Sequence, residues 1–312
     1  MDKHDACRRR LLGAALGAAG LALLQPVRAL AAGTNPPGST ALGDRLFLVY
    51  GVGANVLVLR TDDGVLLVDG GQAASWRALR GQLRRIAPGA RVHTLVNTHW
   101  HPEQTGLNVV VGRDGGRIIA QQKTRQRLSV AQYDPLTDRY RTPLPAAGRP
   151  AESFFERMAI VVGGEALALG HLLQAHTDGD CYVHLPAHNL VAVGDAVASG
   201  RDPELDWYGG GWLGGRIDAL ARLIALGDAG TRYLPAQGAV LGRADLQTQH
   251  DALAQLFTRM AELLRKGYSA EDMLQAQVLE GTGLGLRDPQ RFVHDAFRGL
   301  WAHHNTLSHD IV

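Results

Sequence analysis

The sequence predicts an α/β protein in which packed β-sheets are flanked by helices within one domain. Short apolar runs typical of strands occur in two series, and helical patterns follow each series. The chain has 312 residues, of which 46% are hydrophobic and 20% charged, so it is long enough to bury a sizeable core. No repeat of the solenoid type interrupts this pattern.

The first strand series lies between residues 46 and 120. Its five apolar runs are Leu46–Tyr50, Asn55–Arg60, Val65–Val68, Val92–Val96 and Ile118–Ala120. The pair Asp63-Gly64 between the second and third runs predicts a hairpin. A linker at residues 33–39 precedes the series, residues 75–86 and 123–132 have helical periodicity, and residues 106–111 can begin another helix.

The second strand series begins after residue 157. Its apolar runs are Met158–Val162, Ala166–Leu169, Cys181–Leu185, Leu190–Val193 and Thr231–Leu234. Helices are predicted at residues 217–226 and 244–266, and a polar helical tail follows. Residues 133–153 contain four prolines and predict a loop near the active site. We therefore expect residues 32–312 to form one domain with a C-terminal helical extension.

Residues 1–31 have the pattern of an export signal. A basic stretch, Arg8-Arg9-Arg10, precedes the apolar run Leu11–Leu24, and Ala29-Leu30-Ala31 supplies a small-x-small cleavage site. The basic stretch resembles a bacterial twin-arginine signal. The apolar run is shorter than the roughly 20 residues needed to span a bilayer, so cleavage is favoured over a membrane anchor. We expect a periplasmic protein without a stable membrane anchor.

The charge balance argues against a nucleic-acid partner. The first 31 residues hold five of the 32 Lys and Arg residues and two of the 30 Asp and Glu residues, which leaves 27 positive and 28 negative side chains. A nucleic-acid-binding protein needs a clear basic excess. Only Cys181 remains beyond the signal, so no internal disulfide is expected there, and this cysteine is interpreted as a small buried residue. The sequence does not predict an oligomeric state.

The stretch from Asn97 to Gly106 contains two histidines, His99 and His101, directly after a predicted buried strand. Side chains two residues apart in such a turn can face one point, and neutral imidazole is a good zinc ligand. Further polar residues follow in order at the ends of predicted strands or in turns beside them. They are His176, Asp195 and Gln237.

This ordered set resembles the metallo-β-lactamase superfamily between about Leu46 and Gly238. The sequence Val68-Asp69-Gly70-Gly71 also matches a strand-end motif of that family. The resemblance implies an αββα sandwich with a metal site at one edge between the sheets. It further implies that His99, His101 and His176 bind the metal and that Asp195 is a bridging carboxylate.

The chain departs from the family pattern around the second metal position. Glu103-Gln104 stands where the family has Asp-His, and Gln237 replaces a final histidine. Glu103 can still bind a metal, but the amides of Gln104 and Gln237 are poor zinc ligands. We therefore expect one tightly bound Zn²⁺. Glu103 is interpreted either as a general base beside a metal-bound water or as a carboxylate that supports a ligand.

The resemblance favours a hydrolase that acts on a small molecule through a metal-bound hydroxide. An ester, thioester, lactone, β-lactam or sulfate ester would suit this chemistry, with Glu103 and Asp195 as candidate catalytic carboxylates. One alternative is an iron enzyme like the persulfide dioxygenases, with His99, His176 and Asp195 as ligands. A second alternative is a non-catalytic binding protein. The aromatic loop at residues 206–212 is expected either to bind substrate or to cover the core.

Overall fold

The computed structural model describes residues 36–307, so the predicted signal at residues 1–31 lies outside the described part of the chain. Two large sheets and one hairpin contain all strands of these residues. In chain order the strands are β1 (Gly38–Ala41), β2 (Leu46–Tyr50), β3 (Val56–Thr61), β4 (Gly64–Val68), β5 (Val92–Asn97), β6 (Arg117–Gln121), β7 (Gln132–Asp134), β8 (Arg139–Arg141), β9 (Glu152–Phe154), β10 (Arg157–Val162), β11 (Glu165–His171), β12 (Cys181–Leu185), β13 (Leu190–Gly194), β14 (Arg232–Pro235) and β15 (Leu241–Gly242).

Helices follow the strands in both halves. They are α1 (Trp76–Ile86), α2 (Pro102–Thr105), α3 (Asn108–Arg113), α4 (Gln122–Ser129), α5 (Leu213–Leu226), α6 (Arg243–Arg265), α7 (Ala270–Gln275) and α8 (Pro289–Leu307). Helix α1 buries Leu79, Leu83 and Ile86, the spacing that places three side chains on one face. Among the helices of residues 36–307, none combines the length and apolarity needed to cross a bilayer.

The first sheet has the strand order β1-β2-β3-β4-β5-β6-β9. Strands β1 to β4 are antiparallel, whereas β4, β5, β6 and β9 are parallel neighbours. The predicted hairpin joins β3 to β4, with Thr61 paired to Gly64. Gly64 has a φ of +136°, and a Cβ there would lie 2.4 Å from the Arg91 carbonyl oxygen, so the turn requires glycine.

The second sheet has the order β10-β11-β12-β13-β14-β15. Its neighbours are antiparallel except for the parallel pair β13 and β14. Side chains from the facing sides of both sheets, such as Leu57 and Val96 from the first and Val183 from the second, form one buried cluster. Helix α1 covers the outer face of the first sheet, and α5, α6 and α8 cover the second. These four layers confirm the predicted αββα sandwich with C-terminal helices.

The prediction of a loop over residues 133–153 is wrong in part. Strands β7 and β8 form a hairpin within it, and β9 adds to the edge of the first sheet. Three of the four prolines (Pro143, Pro145 and Pro150) follow the hairpin, and Pro135 lies in its turn, so none removes a ladder N–H. Two further boundaries differ. Strand β1 (residues 38–41) begins inside the linker predicted at residues 33–39 and pairs with β2, and α4 ends at Ser129 rather than at residue 132.

Candidate metal centre

His99 and His101 follow the end of β5, and a buried carboxylate fixes the backbone just before them. Asp69, directly after β4, accepts hydrogen bonds from the Thr98 N–H and the Thr98 hydroxyl, both at 2.8 Å. Asp69 has a φ of 64°, a left-handed conformation that turns its side chain across to the neighbouring strand end. Burial raises the pKa of Asp69 to about 8 against the opposing effect of the Thr98 hydrogen bonds. These contacts give Asp69 a structural role, because it holds the backbone at Thr98 next to His99.

His176 lies in the loop between β11 and β12, which a second buried carboxylate stabilises. Asp180 accepts hydrogen bonds from the Thr177 N–H at 2.8 Å and from the Thr177 hydroxyl at 2.7 Å, and it also binds the His176 N–H. Burial raises the pKa of Asp180, although the charge of His176 and these hydrogen bonds oppose the shift. The loop is therefore held in one conformation before β12 begins.

The three histidines converge on one point between the sheets. One ligand atom from each of them lies within 4.8 Å of the others, and all three side chains are buried. Nε2 of His176 is 3.1 Å from Nδ1 of His101, and Nε2 of His99 has no hydrogen-bond partner among the described residues. A buried ring nitrogen without a partner is costly unless something else binds it. These residues are therefore able to hold a metal ion.

The outward-facing ring nitrogens are each held by an acceptor. Nε2 of His101 is 2.9 Å from Oδ2 of Asp206, and Nδ1 of His176 is 2.9 Å from the Glu204 carbonyl oxygen. When these nitrogens donate, the opposite nitrogens keep free lone pairs that point to the centre. Partners of this kind orient the ligands of metal sites and set their tautomers.

The electrostatic environment differs between His99 and His101. Burial lowers the pKa of His99 well below its usual value, and His101 and His176 shift it in the same direction. Burial also lowers the pKa of His101, but the hydrogen bond and the charge of Asp206 outweigh this effect and raise the pKa overall. His99 is therefore neutral at ordinary pH, which is the form that binds metal.

Asp195 follows β13 and lies beside the histidines. Its Oδ2 is 3.6 Å from Nε2 of His99 and 3.4 Å from the Gln104 amide nitrogen, which donates to it. Its Oδ1 is 3.7 Å from a guanidinium nitrogen of Arg201. Both carboxylate oxygens thus already face a donor or a cation. The assignment of Asp195 as a metal ligand and catalytic carboxylate stays a prediction.

Glu103 and Gln237 lie at a polar cavity of about 250 Å³ that His101 also lines, together with Arg201, Arg141 and Tyr208. An oxygen of Glu103 accepts a weak hydrogen bond from Gln72 at 3.4 Å, and the Gln237 amide is 3.5 Å from the Gly53 carbonyl oxygen. Glu103 therefore shares a cavity with a histidine of the centre, as expected. Its role as a base or a ligand stays a prediction.

Sequence reasoning did not identify Asp206, Arg201 or Glu204 as parts of the site. Asp206 begins the aromatic loop, in which Trp212 packs edge-on against Phe257 and Tyr208 lines the polar cavity. The expected substrate contact of this loop stays a prediction. The sequence feature that could have pointed to Asp206 is its acidic side chain in the loop that follows Asp195. Cys181 is fully buried with its thiol 3.4 Å from the Asn97 carbonyl oxygen, which fits its interpretation as a small buried residue.

Comparisons with known proteins agree with this architecture. A family model described as the metallo-beta-lactamase superfamily matches residues 49–249. A metallo-beta-lactamase from Pontibacter korlensis is similar in structure, with a TM-score of 0.56, 18% identity, and coverage of 70% of this chain and 99% of that one. The DIM-1 metallo-beta-lactamase gives a TM-score of 0.55 at 16% identity and covers 69% of this chain and 96% of its own.

A longer protein is similar over more of the chain. The inverting sec-alkylsulfatase Pisa1 from Pseudomonas sp. gives a TM-score of 0.64 at 14% identity and covers 86% of this chain. This chain spans half the length of that sulfatase. At these identities the likeness concerns the fold alone. No curated protein sequence gave a significant match.

Proposed function

Because the chain belongs to the metallo-β-lactamase superfamily, we propose that it is a hydrolase that works with one metal ion held by His99, His101 and His176. The observation that carries the proposal is the convergence of three imidazoles, one of which, His99, has a buried Nε2 without a partner. Three neutral histidine ligands with one open position are typical of catalytic zinc sites. We therefore propose zinc as the metal.

The surroundings of Asp195 support a single metal ion rather than two. The amide nitrogen of Gln104 and the guanidinium of Arg201 face its two oxygens. The Gln104 amide oxygen is buried without a partner, but a neutral amide oxygen is a poor zinc ligand. Arg201 lies between two carboxylates, at 2.5 Å from Glu204 and 3.7 Å from Asp195, and its positive charge opposes a second cation at Asp195.

The side chains around the centre have separable roles in the proposed reaction. A divalent metal, when bound, would polarise the oxygen of an ester-like centre and lower the pKa of a water molecule toward neutrality. Glu103, in the same cavity as His101, is proposed to accept the proton of the attacking water. Asp206 keeps His101 in the tautomer whose Nδ1 faces the centre.

The substrate is proposed to be a small ester, thioester, lactone, β-lactam or sulfate ester. The likeness in fold to an alkylsulfatase over most of the chain supports keeping sulfate esters among these candidates. The iron alternative uses His99, His176 and Asp195 without His101. The 3.1 Å approach of His101 Nδ1 to His176 Nε2 supports the three-histidine set instead.

Metal analysis tests the proposal directly. Protein expressed without added metal and then dialysed is expected to retain close to one zinc per chain. His99→Ala is expected to lose it. His188→Ala is the matched control, because His188 pairs with Glu165 at 2.8 Å and takes no part in the three-histidine cluster.

Other metal contents would contradict the proposal in distinct ways. One iron per chain would favour the dioxygenase alternative, and a metal-free protein would favour a binding protein. Two tightly bound ions would contradict the single-metal centre. A zinc-loaded protein that hydrolyses no member of a panel of the five substrate classes would contradict the hydrolase.

We further propose that residues 1–31 direct export to the periplasm and are then removed. The twin-arginine pattern at Arg8-Arg9 and the Ala29-Leu30-Ala31 sequence support this proposal. N-terminal sequencing of the protein from a periplasmic fraction is expected to give a start near Ala32. An uncleaved cytoplasmic product in a host with a working twin-arginine system would contradict it.

A further inference from the structure

A second cavity of about 420 Å³ lies against the indole of Trp100, the residue between His99 and His101. Most of its wall is apolar. The apolar side chains are Ala73, Ala74, Val109, Leu128, Val130 and Leu144. We propose that this cavity binds an uncharged aryl or alkyl group of the substrate, an inference that rests on the proposed function.

The apolar cavity adjoins the polar cavity at the metal centre. Gln72, Pro102 and Arg141 line both cavities and so form their shared boundary. The Trp100 ring is in edge-to-face contact with the His101 ring, with 4.5 Å between centroids. A substrate whose reacting centre lies at His101 can therefore place a neighbouring group against Trp100.

Two arginines line the apolar cavity, but their charges are balanced. The guanidinium groups of Arg127 and Arg141 each lie 5.4 Å from the Trp100 ring. Arg127 makes two hydrogen bonds to the Asp178 carboxylate at 2.8 and 2.9 Å, and Arg141 binds Asp134 at 3.0 Å. The cations thus hold the Trp100 ring in place. Because each cation already has a carboxylate partner, the cavity has no excess charge that would select an anion.

The size of the cavity fits a group of substantial length. Small-molecule sites in proteins usually have volumes of about 300–1,000 Å³, a range that includes this cavity. Burial of each additional methylene in an apolar site tightens binding by about three- to fourfold. A homologous series of ligands therefore measures whether the cavity takes up an alkyl chain.

The test uses the series from butan-1-ol to octan-1-ol as probes of the zinc-loaded protein. Binding is followed by NMR at the indole N–H of Trp100, assigned with Trp100→Phe. The dissociation constant is expected to fall by about threefold per methylene. Ala74→Trp, which places a large ring on the exposed rim, is expected to abolish this dependence. Ala229→Trp, at an exposed alanine that lines neither cavity, is the matched control and is expected to preserve it.

A charged probe separates the proposed class from an anion site. Benzyl alcohol is expected to bind at least tenfold more tightly than 4-(hydroxymethyl)benzoate, whose carboxylate would enter the apolar cavity. Val130→Glu adds a charge to a wall residue that is 55% exposed, so it can fold, and it is expected to weaken octan-1-ol binding. Tighter binding of the benzoate would overturn the inference and assign Arg127 and Arg141 to an anion.

The same titrations in His99→Ala distinguish this inference from the proposed function. That variant is expected to lose metal and hydrolysis while the chain-length dependence persists, because Trp100 and the apolar wall are unchanged. A wild-type protein without any chain-length dependence would overturn the inference even if hydrolysis is found. So would an unchanged dependence in both Ala74→Trp and Val130→Glu.

Discussion

The three-histidine centre and the position around Asp195 are neighbours, but they differ in whether their polar atoms already have hydrogen-bond or ion-pair partners. At the centre, the nitrogens that face inward include the partnerless Nε2 of His99, while the outward nitrogens of His101 and His176 are anchored. At Asp195, both oxygens already face the Gln104 amide or the Arg201 guanidinium. The difference indicates that the first position is able to take up a cation, whereas at the second the guanidinium of Arg201 already faces the carboxylate.

The backbone next to the histidines is held more firmly than some side chains of the polar cavity. Buried carboxylates, Asp69 and Asp180, fix the backbone on both sides of the histidines. Two residues of the polar cavity, Glu103 and Gln237, are held more weakly, because the side-chain hydrogen bonds found for them among the described residues are 3.4 and 3.5 Å long. A rigid ligand set beside adjustable polar side chains suits a site that must hold a metal and accommodate a substrate.

The largest expected effect concerns Glu103. If its carboxylate accepts a proton from water, Glu103→Gln should retain metal and lose hydrolytic rate by roughly 10²–10⁴-fold. Rates on the best panel substrate and metal content measure the two quantities separately. Glu262→Gln, an exposed position on α6, is the control. A fall in metal affinity with an unchanged rate per bound metal would assign Glu103 to ligand support instead.

The second prediction concerns Asp69, which fixes the approach to His99. Its pKa is raised from 3.8 to about 8, so the folded state favours the protonated carboxyl. The associated stability is fully present below pH 3.8 and is lost as the pH rises toward 8. Relative to Asp69→Asn, the metal-free wild type should lose about 1.4 kcal/mol of unfolding free energy per pH unit within that window.

Urea unfolding of the metal-stripped wild type and Asp69→Asn between pH 4 and 9 measures this difference. The other titrating groups are common to both proteins, so their contributions cancel in the difference between the two unfolding free energies. A pH-independent difference between the two proteins would show that Asp69 keeps its charge throughout, and that the strand end tolerates a buried anion.

Local sequence patterns predicted most strands and singled out His99 and His101 for identifiable reasons, whereas the sandwich and the role of His176 followed from the family resemblance. Apolar runs and the Asp63-Gly64 turn depend on neighbouring residues, and His99 and His101 stand two residues apart at a strand end. The hairpin of β7 and β8 was not predicted, because its strands are three residues long and partly exposed. Asp206 was missed for a different reason. It reaches His101 across 105 residues of sequence, and no local pattern encodes that contact.

The third prediction tests this long-range contact. Asp206→Asn should keep the hydrogen bond to the Gly209 N–H but remove the charge beside His101. Metal affinity should fall by about 10–100-fold, the usual effect of losing a partner that orients a ligand. In the metal-free protein, NMR titration should also show a lower pKa for His101, because the charge that raises it is gone.

Asp218→Asn, at an exposed position on α5, is the control for the third prediction. An unchanged affinity in Asp206→Asn would mean that Trp100 and the backbone orient His101 without help. An unchanged His101 pKa would contradict the assigned origin of its shift.

The smallest expected effect concerns the position around Asp195. Gln104→His with Gln237→His supplies two imidazoles, but Arg201 still faces the carboxylate at 3.7 Å. We expect this double variant to bind a second zinc weakly.

Adding Arg201→Gln should tighten that second site by about tenfold or more, since a unit charge and a dication about 4 Å apart repel by ~2 kcal/mol even in bulk water. Arg45→Gln, which removes a half-buried cation paired with Asp62, is the matched control. Equilibrium dialysis with elemental analysis gives both affinities. Two tight ions in the double variant with Arg201 in place would show that the missing imidazoles alone, and not the guanidinium, account for the single-metal centre.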